Sequence, residues 1–123
     1  MFVPLHKNYK RVKISFGKKQ LEDYATDEKK RIKKLGPLRA GLYKQRLDDL
    51  YAATTLEEVR YLPGHYHELV GNRKGQWACG LDQPYRLIFT PTARPIPTDP
   101  NGKYIWIEID SIEIEEIDNY HGK

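Results

Sequence analysis

The chain has little cysteine and no long apolar run. Cys79 is its single cysteine, so an internal disulfide is impossible and a cysteine-based metal site is disfavoured. This sparing use of cysteine suits a reducing compartment, and we expect a cytoplasmic protein. No stretch approaches the roughly 18 apolar residues of a membrane span, and residues 1–10 lack the apolar core of a signal peptide. We therefore expect no membrane association.

Several enzyme motifs are missing as well. The sequence contains no glycine-rich phosphate loop and no GxSxG nucleophile motif. His65, His67 and Glu68 lie close together but match no established zinc spacing, so we expect neither a metal nor another cofactor. No internal repeat or low-complexity tract occurs, and 123 residues suffice for one domain, 1–123, with a single core.

The chain does have an excess of positive charge, and that charge is unevenly distributed. The formal net charge is +4. Residues 1–47 contain 14 lysines and arginines against four acids, whereas the last twenty residues contain six acids and one lysine. Such asymmetry favours a polyanionic or acidic partner for the basic region. The alternative is a set of solvated helix faces, and charge alone does not decide between the two.

The first half of the chain predicts one strand and a helical hairpin. Apolar residues alternate with polar ones over residues 12–16, as in a half-buried strand. From residue 18 to residue 35 the apolar spacing becomes helical, and Gly36-Pro37 separates this helix from a second one. Thr55 and Glu58 have the spacing of a capping box for one further helical turn. The apolar face of the second helix is predicted from Leu38, Leu42, Leu47, Leu50 and Tyr51.

The second half predicts strands. Residues 76–81 and 85–89 read as two strands joined by a tight turn. Residues 91–103 contain four prolines, which favour an extended loop. Isoleucines then alternate along residues 105–114 but change phase once, which predicts a break or a bulge near Ser111. Together these elements predict an α+β domain in which the N-terminal strand and the two-helix hairpin pack on one face of a small, mainly antiparallel sheet.

A group of basic side chains surrounds the predicted hairpin. It comprises His65, His67, Arg73, Lys74 and Arg86. If the last strand lies beside this hairpin, the terminal Tyr-His pair also joins the group. Cleavage of RNA by its own 2′-hydroxyl needs a base, an acid and cations near the phosphate. Imidazole exchanges protons near neutral pH, arginine can hold a phosphate through two donors, and tyrosine can stack on a base or donate a proton.

The order of motifs PG, HxLxG, NRKGQW and DQPYRLIF, which starts at Tyr61, resembles the RelE/HigB-type toxins of type II toxin–antitoxin systems, the plasmid maintenance killer family. This resemblance implies a RelE/ParE-like fold and a metal-independent endoribonuclease that cleaves mRNA on the ribosome and inhibits translation. It also implies a hetero-oligomer with a cognate helix-turn-helix antitoxin.

The resemblance also implies roles for individual residues. Val70 and Asn119 depart from the family pattern, where lysine and aspartate are usual, and the loss of one cation and one carboxylate is expected to weaken cleavage, change its sequence preference or leave a binder with little activity. The basic first helix is expected, from its charge, to add to RNA binding. The catalytic residues implied are His67, Arg73, Arg86, Tyr120 and His121, and the RNA-binding residues expected are Lys74, Lys30, Arg31, Lys33 and Lys34.

Two other functions stay open on the sequence. One is a ParE-like toxin, which shares the fold but acts on DNA gyrase. The other is a catalytically weak module that binds the antitoxin only. Individual residues also have structural alternatives: His67 can be a polar surface residue at a sheet rim, and Arg86 can be paired with an acid. Trp77, Tyr85 and Phe89 are expected in the core, and Cys79 is expected to be a small buried side chain rather than a nucleophile.

Overall fold

A five-stranded mixed sheet runs through the computed structural model, which describes residues 11–120. The strand order is β1-β5-β4-β3-β2. β1 pairs in parallel with β5, and the other three pairings are antiparallel. The prediction of a domain that mixes helices with a small sheet is confirmed. The strands are β1 Lys13–Phe16, β2 His67–Glu68, β3 Trp77–Gly80, β4 Tyr85–Pro91 and β5 Ser111–Asn119.

The helices are α1 Lys19–Thr26, α2 Glu28–Leu35, α3 Pro37–Ala52 and the short α4 Leu56–Val59. The single helix predicted over residues 18–35 is wrong, because the chain is extended at Asp27. The Asp27 carboxylate accepts a hydrogen bond of 3.0 Å from the backbone N–H of Lys30 and so caps α2. The predicted junction at Gly36-Pro37 is confirmed: Gly36 has a φ of 83°, which glycine tolerates because it lacks a Cβ.

The core-facing side of α3 differs in part from the predicted one. Leu47 and Leu50 are buried as predicted, whereas Leu38 is 67% exposed and Tyr51 is 43% exposed. Tyr43 is fully buried instead, and its hydroxyl donates a 2.7 Å hydrogen bond to the carbonyl of Leu21 on α1. A satisfied tyrosine can therefore occupy a core position that sequence periodicity assigns to leucine.

The predicted capping box lies one residue earlier than expected. Thr55 precedes α4, but its side chain makes no capping hydrogen bond. The Glu58 carboxylate instead accepts from the backbone N–H of Thr54 at 2.7 Å and from the Thr54 hydroxyl at 3.3 Å. Glu58 therefore accepts a backbone hydrogen bond from before the helix, as in a capping box, but from Thr54 and not from Thr55.

The phase change in the isoleucine pattern comes from a break before β5, and a bulge within β5 shifts the pattern a second time. The break predicted near Ser111 is confirmed: the preceding segment contains the 3-10 turn Trp106–Glu108, and β5 begins at Ser111. Within β5, Ile88 lies opposite Glu116 and Phe89 lies opposite Ile114, so Glu115 is an extra, bulged residue.

The bulge keeps the isoleucines of β5 on one face. Ile112 and Ile114 are buried, and Ile117 packs against the same core although it lies three residues after Ile114. A strand without a bulge would turn Ile117 to the opposite face. The connection before β5 is an extended loop, as predicted, with one isolated bridge between Thr98 and Tyr104.

The helices and alternate strand residues share one hydrophobic core. Its members on the sheet include Trp77, Leu87, Phe89, Ile112 and Ile114, and its members on the helices include Leu21, Tyr43, Leu47, Leu50 and Val59. The other face of the sheet, which we call the open face, carries charged residues such as Arg86, Glu116 and Asp118 at the intervening positions, together with the apolar, fully buried Ala78 and Ile88. Within residues 11–120, no helix is long and apolar enough to cross a membrane.

A bidentate ion pair connects α3 to the β3–β4 turn. Arg39 Nε and Nη2 donate to the two carboxylate oxygens of Asp82 at 2.8 and 3.0 Å. The guanidinium of Arg39 also lies 3.5 Å from the centre of the Tyr85 ring. The hydrogen bonds from Arg39 hold the pKa of Asp82 below its ordinary value. The pair therefore fixes the turn that leads into β4.

We expect Asp82→Asn to lower stability in a pH-dependent manner. The lowered pKa means that this carboxylate stabilises the fold above the pKa of the unfolded chain, about 3.9, and that the contribution is lost as pH falls through the lower folded value. The variant should lose on the order of 1 kcal/mol at pH 7 and much less near pH 3. Urea unfolding at both pH values measures this difference.

Asp48→Asn is the matched control. Asp48 also pairs with a cation, Lys44, but its side chain is 55% exposed. An exposed pair contributes little. A loss in Asp82→Asn that is equal at pH 7 and pH 3, or equal to the loss in the control, would contradict the expected role of the Arg39 pair.

Candidate functional site

The open face of the sheet carries the candidate residues of the hairpin region. Arg86 on β4 and Asp118 on β5 lie directly opposite each other in the register. They alternate with Leu87 and Ile117, which belong to the core. His67 on β2 lies opposite Ala78 on β3. The strand order therefore brings positions 67, 86 and 118 onto neighbouring parts of one sheet.

A cavity of about 240 Å³ lies between β2, the β3–β4 turn and the end of β5. We call it the histidine cavity. Four candidate side chains line it, and they come from three separate parts of the chain. Cys79, Gly80 and residues 83–85 complete its wall. The four candidates are His65, His67, Arg86 and Tyr120.

The backbone of His65 sets the protonation pattern of His67. His67 Nδ1 lies 2.8 Å from the carbonyl oxygen of His65. A carbonyl oxygen can only accept a hydrogen bond, so Nδ1 carries the proton. In the neutral ring, Nε2 then has the lone pair and can accept a proton from a substrate. The two imidazole rings lie 4.7 Å apart, and His65 adopts a positive φ of 60°.

Arg86 is held between an acid and an aromatic ring. Its Nε donates a 2.9 Å hydrogen bond to Asp118 Oδ2, and the side chains of both residues are about one-fifth exposed. The guanidinium carbon lies 4.5 Å from the centre of the Tyr120 ring. Arg86 is therefore positioned at the cavity wall by two neighbours.

Arg73 lies beside the histidine cavity and not among the residues that line it. Its Nη1 donates to Gln76 Oε1 at 2.9 Å, and its Nη2 donates to Glu116 Oε2 at 3.1 Å. Glu116 and Asp118 are two residues apart on β5, so the carboxylates that hold Arg73 and Arg86 start about 7 Å from each other along the strand. The two arginines thus form a short row on the open face.

The structure brings together some predicted site residues and separates others. His67, Arg86 and Tyr120 line one cavity, and Arg73 follows on the same face. Lys74 faces a second, larger cavity. His121 lies outside the described residues.

The basic helix contributes less free charge than its sequence indicates. Arg31 is only 7% exposed, and its Nη1 donates a 2.8 Å hydrogen bond to the carbonyl of Tyr24 on α1. This contact ties α2 to α1 and gives Arg31 a structural role, while its contact with RNA stays a prediction. Lys30 pairs with Asp23 at 3.2 Å. Lys33 and Lys34 are exposed, but they lie on the helical layer, on the other side of the sheet from the histidine cavity.

Two residues, Glu116 and Asp118, were missed as members of this site, and the role of the His65 carbonyl was not predicted. Glu116 and Asp118 pair with the two arginines, and the carbonyl of His65 orients His67. The available signal was the acidic alternation of the last segment, which complements a basic hairpin if the two are neighbours. Cys79, by contrast, matches its expectation: it is fully buried, and burial raises the pKa of its thiol to about 12, so it stays protonated at neutral pH.

The histidine cavity brings the imidazole of His67, the guanidinium of Arg86 and the side chain of Tyr120 to the wall of one space of about 240 Å³. Such a set suits proton transfer beside an anionic centre. Within residues 11–120, no group of three or more histidine, cysteine or acidic side chains is arranged to hold a metal ion. In comparison with known proteins, the chain matches no protein-family model and no curated protein.

Proposed function

We propose that this protein is the toxin of a type II toxin–antitoxin module: a metal-independent endoribonuclease that cleaves mRNA on the ribosome and is neutralised by a cognate helix-turn-helix antitoxin. One observation carries the proposal. His67, Arg86 and Tyr120, which are far apart in the sequence, line the same 240 Å³ cavity on the open face. The motif order that resembles the RelE/HigB-type toxins supports it and gives the same three residues functional roles.

In this proposal the ribose 2′-hydroxyl attacks the neighbouring phosphorus. His67 Nε2 accepts the hydroxyl proton, which the hydrogen bond from Nδ1 to the His65 carbonyl favours. A P–O bond forms to the 2′-oxygen and the P–O bond to the 5′-oxygen breaks, which leaves a 2′,3′-cyclic phosphate. Arg86 stabilises the charge on the phosphate oxygens. The leaving 5′-oxygen takes a proton from the tyrosine hydroxyl of Tyr120 or from His121.

The surrounding charges have a supporting role. Arg73 and Lys74 extend the positive charge of the open face away from the cavity, and RNA backbone contacts there weaken as salt rises. The proposal includes a RelE/ParE-like fold. It also includes a cytoplasmic location, because the proposed substrate is mRNA bound to ribosomes. The antitoxin would cover the open face or displace the end of β5, with charge complementarity speeding the encounter.

Induction of the protein in growing cells tests the proposal. We expect growth arrest and new mRNA 5′ ends inside translated regions, because cleavage occurs on ribosome-bound mRNA. Both effects should disappear when the antitoxin encoded beside the gene is expressed with it. Growth arrest without new 5′ ends would contradict the nuclease function, and arrest accompanied by a change in DNA supercoiling would favour a gyrase-directed toxin.

A second candidate function is a module that binds the antitoxin and cleaves RNA weakly or not at all. The observation that favours it is the pairing of both site arginines: Arg73 with Glu116 and Arg86 with Asp118. These carboxylates neutralise the cations and repel an approaching phosphate. The same induction experiment distinguishes this function, since it predicts a stable antitoxin complex with no growth arrest and no new 5′ ends.

A further inference from the structure

A second cavity of about 690 Å³ lies at another part of the open face, where Thr90 lines it four residues along β4 from Arg86 of the histidine cavity. We call it the loop cavity, because the proline-rich segment after β4 forms one of its walls. The opposite wall comes from the segment that enters β3, and its floor comes from β4 and β5. The lining residues that matter for the argument are Lys74, Gln76, Arg94, Ile96, Tyr104 and Glu115.

Tyr104 gives the loop cavity an aromatic wall in a fixed orientation. Its ring is half-buried and packs at 5.0 Å from the ring of Trp106, which is itself 5% exposed. The ammonium of Lys74 lies 5.6 Å from the centre of the Tyr104 ring. Ile96 adds an apolar surface beside it. An aromatic ring that is already held by packing is a suitable platform for a planar base, because little side-chain freedom is lost on stacking.

The charged groups of the loop cavity are placed on two sides. Arg94 Nη1 donates to the carbonyls of Pro91 and Ala93 at 2.7 and 2.9 Å, which holds its guanidinium against the loop. Lys74 lies on the facing wall, so two cations flank the opening. Glu115, the bulged residue of β5, is the acidic residue among those that line the cavity. Partial burial and then repulsion by Glu113 raise the pKa of Glu115.

A chain of hydrogen bonds leads from the loop cavity to Arg73, which lies on the same face as the histidine cavity but does not line it. Gln76, which lines the loop cavity, accepts a hydrogen bond from Arg73, and Arg73 also donates to Glu116. Glu116 and Glu115 are adjacent on β5. Arg86 of the histidine cavity and Thr90 of the loop cavity lie about 13 Å apart along β4, so a strand of RNA that follows β4 on the open face would pass both cavities.

We propose that the loop cavity binds one nucleotide of single-stranded RNA, beside the nucleotide that is cleaved. The base stacks on Tyr104, its exocyclic amino group donates to Glu115, and its phosphate lies between Lys74 and Arg94. The position beside the cleaved nucleotide rests on the proposed nuclease function, whereas binding of the nucleotide does not. A carboxylate accepts from the amino group of cytosine but meets only an oxygen at the same position of uracil, so cytosine is preferred over uracil.

Fluorescence anisotropy with labelled 2′-O-methyl hexanucleotides tests the proposal. These RNAs lack the 2′-hydroxyl proton, so binding is measured without cleavage and without ribosomes. We expect oligo(C) to bind about five- to tenfold more tightly than oligo(U), as for one charge-assisted hydrogen bond. Glu115→Ala should remove this preference. Tyr104→Leu should weaken the binding of both RNAs by about tenfold or more, because base stacking is lost.

Lys103→Gln is the matched control for Lys74→Gln. Both variants remove one positive charge next to the same region, but Lys103 is exposed and does not line the cavity. Lys74→Gln should weaken binding severalfold more than Lys103→Gln does and should reduce the salt dependence by about one phosphate contact. Tyr104→Phe keeps the ring and should bind like the unchanged protein. If Tyr104→Leu does not fold, Glu115→Ala and the lysine pair decide the question.

Equal binding of oligo(C) and oligo(U) by the unchanged protein would overturn the proposal. So would equal effects of the two lysine variants, or a cytosine preference that survives Glu115→Ala. The result is separable from the nuclease function. Binding that depends on the loop cavity, in a protein that produces no new mRNA 5′ ends, would support the nucleotide site and contradict the nuclease function. Cleavage without binding that depends on the loop cavity would support the nuclease function and contradict the nucleotide site.

Discussion

His67→Ala is expected to lower mRNA cleavage by about a hundred- to ten-thousand-fold and to relieve growth arrest, because the variant removes the proposed general base. The free energy of unfolding should change little. His67 lies in a two-residue strand at the edge of the sheet and is outside the hydrophobic core. Cleavage is measured on ribosome-bound mRNA with the purified protein, and stability is measured by urea unfolding of the same sample.

The neighbouring histidine supplies the control. His65 also lines the histidine cavity, but it serves His67 through its backbone carbonyl, which a substitution retains. His65→Asn is the suitable variant, since asparagine tolerates the positive φ at this position. Its cleavage should fall far less than that of His67→Ala. If the His67→Ala protein is folded and as toxic as the unchanged protein, His67 is not the base, and the binding-only module takes precedence.

Trp77→Ala is expected to cost about 3–5 kcal/mol of stability, a large share of the roughly 5–15 kcal/mol that holds a small domain folded. Trp77 is fully buried on β3. Its ring packs 6.3 Å from Phe89 and meets Trp106 edge-on at 5.5 Å. Removing the indole therefore leaves a cavity where the sheet meets the segment before β5. Urea unfolding should show a strongly lowered midpoint.

Two further variants show whether packing is the cause of this loss. Within residues 11–120, the indole N–H of Trp77 has no hydrogen-bond partner. Trp77→Phe should therefore cost clearly less than Trp77→Ala, since no hydrogen bond is broken and most of the ring is kept. Tyr61→Ala is the surface control: Tyr61 is 77% exposed, and the change should stay within about 0.5 kcal/mol. If Trp77→Phe were as unstable as Trp77→Ala, lost packing would not be the main cause of the lower stability.

Local rules account for the parts of the fold that the sequence predicted correctly. The strands of the central hairpin and the Gly36-Pro37 junction depend on neighbouring residues and on backbone preferences. Such features are visible in a single sequence because their physical causes lie within a few positions of each other.

The parts of the fold that were predicted wrongly depend on hydrogen bonds that apolar periodicity does not show. Asp27 lies within a helical pattern, yet its side chain gains a hydrogen bond by starting a new helix. Tyr43 can be buried because the carbonyl of Leu21, 22 residues away, accepts a hydrogen bond from its hydroxyl. Arg31 is buried for a similar reason, through the carbonyl of Tyr24. Periodicity cannot reveal a partner that only the packed helices supply.

The candidate site was predictable only on a condition. His67 and Arg86 belong to a recognisable motif region, but their meeting with Tyr120 requires β5 to lie beside β4, which the sequence does not specify. The same adjacency creates the pairs of Glu116 and Asp118 with the arginines. The proline-rich loop separates the basic segment from the acidic one, so the sequence does not show which residues of β4 and β5 lie opposite each other.

The position of His67 in the sheet has a consequence for its motion. β2 forms only the pairs His67–Ala78 and Glu68–Trp77, whereas the strand of Arg86 has a neighbour on each side. Short edge strands open at a lower free-energy cost than central ones. The imidazole of His67 therefore lies on an edge strand that opens easily, whereas the guanidinium of Arg86 lies on a central strand that opens at a higher free-energy cost. A ligand or protein that bound across this edge strand would remove the strand's local fluctuations, and it would reduce amide hydrogen exchange at β2 more than at β4.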